Sequence, residues 1–129
     1  MIEKYLLSRY RSGGRGEAVG ATTVYDCWGL SRAVRAEVYG RPLLPAFADV
    51  AAQDKAGMTR CGAQVAADMQ PCNPRPGALA AVYRGRLLIH VAICVEDGMV
   101  LEVGRPKPRL VPIGVFEANY AHREVAYYD

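Results

Sequence analysis

The sequence holds no C-x-x-C pair and no Cys/His cluster at zinc-ligand spacing, so a structural zinc site or a dithiol redox motif has no residues to stand on. No metal or cofactor is expected. Glycines cluster between Gly13 and Gly20, but their spacing fits no phosphate-binding loop. Acidic and basic residues are scattered rather than run together, which leaves nucleic-acid binding without a footprint. No internal repeat or low-complexity tract is present. No apolar stretch is long enough to span a bilayer, and Glu3, Lys4 and Arg9 leave no room for a signal-peptide apolar core in the opening segment. The expectation is therefore synthesis in the cytoplasm without membrane insertion, with any role outside depending on another carrier. The four cysteines are Cys27, Cys61, Cys72 and Cys94. A Cys61 to Cys72 disulfide is open on spacing, while a cytoplasmic origin favours free thiols.

What is present is 129 residues, 51% of them hydrophobic, which bounds the chain to a single domain, residues 1–129, with a sizeable core. The net charge of +3 leaves a weak pull toward anionic surfaces.

The rest of the chain is organised around Tyr25-Asp26-Cys27-Trp28-Gly29-Leu30. Asp26 is an N-cap candidate, Leu30, Ala33, Val34 and Val38 recur at helical spacing, and Gly40 followed by Pro42 is a stop signal. Cys27 should open this helix. Its thiol would sit among unpaired N–H groups at the positive end of the helix dipole, a setting that favours thiolate. A buried small hydrophobe is the plainer role for a lone cysteine, so its neighbours decide.

Before that helix, Ile2, Tyr5, Leu6 and Tyr10 mark a short first helix, and Arg11 to Gly20 reads as a flexible connection. After it, Arg41 to Pro45 is extended, Ala48 to Met69 suggests one or two short helices interrupted near Gly57 and Gly62, and Gln70 to Pro76 is loop. The period then becomes strand-like at Leu79 to Tyr83, Leu87 to Val95, Met99 to Val103, Arg109 to Ile113 and Glu124 to Tyr128. Helices first and strands afterwards predict an α+β domain, with N-terminal helices packed on a C-terminal antiparallel sheet.

The runs on either side of Glu96-Asp97-Gly98 should form a hairpin. A loop of Asp97 and Gly98 alone would put His90 and Glu102 on opposite faces. A three-residue loop with Gly98 left-handed would pair Val95 with Met99 and leave His90 and Glu102 diagonal neighbours on one face. The longer loop is preferred because it gives Glu102 a partner and sends Val91, Ile93 and Val95 to the core as one row. A cysteine at a helix start, a histidine on a strand and a polar group beside that histidine are what thiol nucleophilic catalysis requires.

Tyr25-Asp26-Cys27-Trp28-Gly29-Leu30, Pro76-Gly77-Ala78-Leu79 leading into a strand, and His90-Val91-Ala92-Ile93 through Gly98 to Glu102 together resemble the NlpC-type cysteine peptidases, compact papain-like enzymes that cut peptidoglycan stem peptides. Trp28 after the cysteine looks most like phage and prophage tail members. The resemblance implies a papain-like fold, with Cys27 as nucleophile, His90 as general base and acid, and Glu102 as the group orienting His90. It assigns Tyr25 to the cleft wall; Asp26 and Trp28 are expected beside it at the substrate site, with anchoring of the helix in the core the equal alternative for Trp28. Two departures are visible: Glu102 stands where His, Asn or Gln is usual, and Ala78 stands where Asp usually follows Pro-Gly. A carboxylate can orient imidazole, so the first departure is compatible with activity.

The implied reaction is hydrolysis of an amide in a peptidoglycan stem peptide, commonly the γ-D-glutamyl bond to a diamino acid. The implied partners are that stem peptide and phage tail proteins, with the enzyme carried in a tail particle and acting on the cell wall. A tail-assembly or tail-tip component that keeps the fold without turnover is the alternative, and a thiol amidase or transferase would keep the chemistry but change the bond. His122 is expected at the surface, Cys94 as a packed thiol, and Tyr120, Tyr127 and Tyr128 at a sheet edge or partner contact.

Overall fold

From Leu79 onward the chain builds one antiparallel sheet, and the longer helices before it pack on that sheet; the computed structural model describes residues 1–129. Its strands are β4 (Leu79–Arg84), β5 (Leu87–Val95), β6 (Met99–Val103), β7 (Pro108–Pro112) and β8 (Glu124–Tyr128), in the spatial order β7-β6-β5-β4-β8. Side chains alternate across it. Leu79, Ala81, Val91, Ile93 and Val95 join Leu30, Val34, Met58 and Val65 in one core cluster, while Ala80, Val82, Ala92, Cys94 and Val100 join Phe116 and Tyr127 in another. The sheet is thus a middle layer. Helices α2 (Cys27–Glu37) and α3 (Lys55–Ala66) cover one face, and α4 (Ile113–Asn119) packs on β6 and β7 from the other.

Helix α2 follows from its local chemistry. Asp26 Oδ1 accepts a hydrogen bond from the Gly29 N–H at 2.8 Å, and Gly40 past the far end takes the left-handed conformation, φ +64°. Leu30 and Val34, one turn apart, are fully buried, and each contributes roughly 2 kcal/mol by leaving water.

Three expectations are corrected. The first helix is only α1 (Glu3–Leu6); Arg9–Tyr10 forms β1, which pairs in parallel with β3 (Thr22–Tyr25). The segment expected to be a flexible connection contains β2 (Arg15–Val19), paired antiparallel with β3 through a turn at Gly20, φ +62°. Its strand is mostly exposed, so no apolar alternation marks it, although Val19, Thr22 and Thr23 flanking a glycine carry a hairpin signal. Helix α3 runs unbroken through Gly57 and Gly62. The Gly57 N–H bonds to the capping Asp54 carboxylate at 2.9 Å, and a Cβ on Gly62 would lie 2.7 Å from Leu88, so these glycines serve capping and close packing rather than interruption.

The hairpin takes the three-residue loop: Val95 pairs with Met99, Cys94 with Val100 and Ile93 with Leu101. Asp97 (φ 59°) joins Gly98 (φ 68°) in the left-handed region. All four cysteines are free, and no helix is long and apolar enough to cross a membrane.

Candidate active site

Cys27 is held where it is by the loop before it. The Asp26 N–H donates to the Gly14 carbonyl at 3.1 Å, and the buried Asp26 carboxylate also pairs with the Arg15 guanidinium at 2.7 Å. Arg15 in turn donates to the carbonyls of Ala46 (2.6 Å) and Phe47 (3.2 Å), tying the segment after Pro45 to the start of α2. Trp28 Nε1 reaches the Pro45 carbonyl at 3.0 Å, and its ring lies 6.1 Å from that of Phe47. As the first helical residue, Cys27 keeps a backbone N–H with no intrahelical acceptor.

On the sheet, His90 Nε2 and Glu102 Oε1 stand 2.8 Å apart across the β5–β6 hairpin. The ladder between these strands is recorded only as far as Ile93 and Leu101, so His90 and Glu102 flank the end where the strands part. Arg109, directly opposite Glu102 on β7, donates to Oε2 through Nε at 3.0 Å and a terminal guanidinium nitrogen at 2.8 Å. Tyr120 stacks on the imidazole at 5.7 Å between ring centroids, and Phe116 lies 6.4 Å away. His90 is thereby clamped in ring plane and tautomer.

The charges follow from these contacts. Burial disfavours the His90 cation, but the hydrogen bonds and charges of Cys27 and Glu102 outweigh it and raise the imidazole to about 9. Burial likewise opposes ionisation of Glu102, yet His90 and Arg109 hold its carboxyl below the usual range. With Nε2 given to an ionised carboxylate, which only accepts, the other ring nitrogen is the one that remains for proton exchange.

Cys27, His90 and Glu102 line one cleft of about 490 Å³, together with Tyr10, Lys55, Arg105, Lys107, Arg109 and Tyr120. Four of these side chains are cationic against the single carboxylate of Glu102. Cys27 also lines a second, apolar cavity with Trp28, Phe47, Met58, Leu88 and Val91, between α2, α3 and the sheet. No three His, Cys, Asp or Glu side chains converge as a metal site.

The substrate-site assignments fare differently from one another. Trp28 borders the apolar cavity and anchors α2 as well. Asp26 is 1% exposed and committed to its cap and to Arg15. Tyr25 is buried with its ring 6.0 Å from that of Tyr5, packs in the same core cluster as Tyr5, and borders neither cavity. Cys94 is fully buried and its thiol is pushed up to about 12 by burial; His122 is exposed. Ala78 is fully buried in the second core cluster, where a carboxylate would be desolvated.

Sequence reasoning missed Arg15, Arg109 and Tyr120. Arg109 carried a usable signal, since pairing β6 with β7 places a cation opposite Glu102. No protein-family model matches the chain, and no curated protein matches it significantly.

Proposed function

We propose that the protein is a thiol hydrolase of the NlpC type with a papain-like fold, which cleaves an amide bond in peptidoglycan stem peptides as part of a phage or prophage tail. The observation that carries this reading is His90 paired with the buried Glu102 carboxylate, 2.8 Å from Nε2, on the wall of the cleft that Cys27 also lines. Cys27 attacks the amide carbonyl as thiolate, and its own N–H, at the start of α2, donates to the developing oxyanion. His90 protonates the leaving nitrogen. Water, deprotonated by His90, then releases the acyl group from sulfur. Glu102 keeps the imidazole oriented and compensates its positive charge, the role a carboxylate plays in serine triads. Lys55, Arg105 and Lys107 around the cleft suit the carboxylates that stem peptides carry.

The test is release of new amino groups from purified peptidoglycan and isolated stem peptides by wild type and Cys27→Ala, with mass spectrometry of the fragments. Turnover lost in Cys27→Ala supports the proposal, and the fragment masses name the bond. A folded wild-type protein with no turnover on either substrate supports the tail-structural alternative instead.

A further inference from the structure

Two spaces meet at Cys27, and they differ in chemistry. Cys27 and Ala52 border both. One is the cationic cleft containing His90. The other is the apolar cavity, whose volume is about 60 Å³; the only charged groups on its wall, Arg15 and Asp26, are paired with each other at 2.7 Å.

The chemistry of an acyl transfer assigns the two halves of a substrate to these spaces. The leaving atom takes its proton from His90, so the leaving half must lie in the cleft that His90 lines. The substituent on the attacked carbonyl is left with the opposite side of the sulfur. We infer that the apolar cavity is the acyl-side specificity pocket and takes a short aliphatic substituent, while the leaving half carries an anionic group facing Arg105 and Lys107. A cavity of about 60 Å³ holds roughly two groups of methylene or water size, so a propionyl-to-butyryl group fills it and a decanoyl chain does not fit. This inference rests on Cys27 being the nucleophile, and extends that reading by naming what flanks the scissile bond.

The reaction is balanced without a co-reactant other than water: the sulfur–carbonyl bond forms as the bond to the leaving group breaks, His90 supplies the proton, and water then cleaves the thioester to the free acid. A leaving phenol reports on the same acyl pocket as a leaving amine.

The experiment uses 4-acyloxybenzoates with acetyl, butyryl, hexanoyl and decanoyl groups, and their neutral methyl esters, with the full chain as enzyme. The expected result is a rise in kcat/KM of about fourfold per added methylene to a maximum at butyryl, followed by a fall at hexanoyl and decanoyl. The free carboxylates should be preferred over the methyl esters, and Lys107→Gln should reduce that preference. Ala66→Leu, which fills the cavity, should lower the butyryl-to-acetyl ratio, and Met58→Ala, which enlarges it, should move the maximum toward longer chains. Thermal melts of each variant establish that it is folded, and the opposite shifts of the two variants separate pocket filling from general damage. A rate that is flat with chain length, or that rises without limit, overturns the pocket while leaving the thiol hydrolase standing. Ester hydrolysis that persists in Cys27→Ala, or no hydrolysis by a wild type whose Cys27 also resists alkylation, overturns both.

Discussion

His90 Nε2 and Glu102 Oε1 are 2.8 Å apart, and the same carboxylate is gripped on its other oxygen by Arg109 from the next strand. A buried anion thus compensates the imidazolium on one side while a cation limits its own cost on the other. His90 is raised to about 9 by its anionic partners, against its burial. Its protonated form therefore stabilises the fold fully below the ordinary imidazole range, and that contribution is lost as pH rises through about 9. Glu102→Gln keeps the size but removes the charge. The alkaline limb of the pH–rate profile should fall by about one pH unit or more, in step with the His90 titration followed by NMR. An unchanged limb would remove Glu102 from its proposed role.

Arg109→Gln should act through Glu102. It leaves a buried carboxylate with one partner fewer and should cost about 1 to 2 kcal/mol, measured by denaturant unfolding at pH 7. In a double-mutant cycle with Glu102→Gln the two losses should be less than additive, because the second substitution removes the charge the first left unpaired.

Gly29 is fixed by close approach. A Cβ there would lie 2.0 Å from the Gly14 carbonyl oxygen, the same oxygen that accepts the Asp26 N–H. That oxygen belongs to backbone and cannot swing aside. Gly29→Ala should destabilise by about 2 kcal/mol or more and displace the start of α2, slowing alkylation of Cys27. Gly114 in α4 has open space around the same position, so Gly114→Ala should stabilise by about 0.5 to 1 kcal/mol. Thermal melts of the two variants should move in opposite directions.

Asp129 is clasped by Arg35 (2.9 Å), Arg41 (2.8 Å) and Arg75 (3.1 Å), and these guanidiniums overcome its burial to hold its carboxyl far below the usual range. A carboxylate depressed in this way stabilises the fold above its unfolded value and loses that contribution as pH falls through the folded one. Asp129→Asn leaves Arg35, itself buried, without its counter-charge and should cost about 3 kcal/mol at pH 7. The difference from wild type should narrow on acidification, as read from urea unfolding at a series of pH values.

What was legible in the sequence is what local chemistry decides. Asp26, Leu30, Val34 and Gly40 spell out α2 in a cap, a period and a stop, and β5 and β6 show apolar runs broken by a turn. The need to give Glu102 a partner selected the hairpin loop. Features set by distant pairing stayed hidden. β2 is mostly exposed and shows no alternation, and Gly62 looks like a helix breaker until Leu88 is placed beside it. Arg15 gives no sign in one dimension that it joins Asp26 to the carbonyls of Ala46 and Phe47. Helix α4 buries only Phe116, too little to read as a period, and so Tyr120 could not be aimed at His90.

The central claim is that Cys27, coupled to His90, is the reactive thiol of this chain, and substoichiometric alkylation with iodoacetamide at pH 6, followed by peptide mapping, tests it most directly. The account predicts that label appears first on Cys27, is slowed at least tenfold there by His90→Ala, and reaches Cys61 and Cys72 late, since burial raises both of those thiols. Label spread over Cys61 and Cys72 while Cys27 stays unmodified in the folded protein would contradict it.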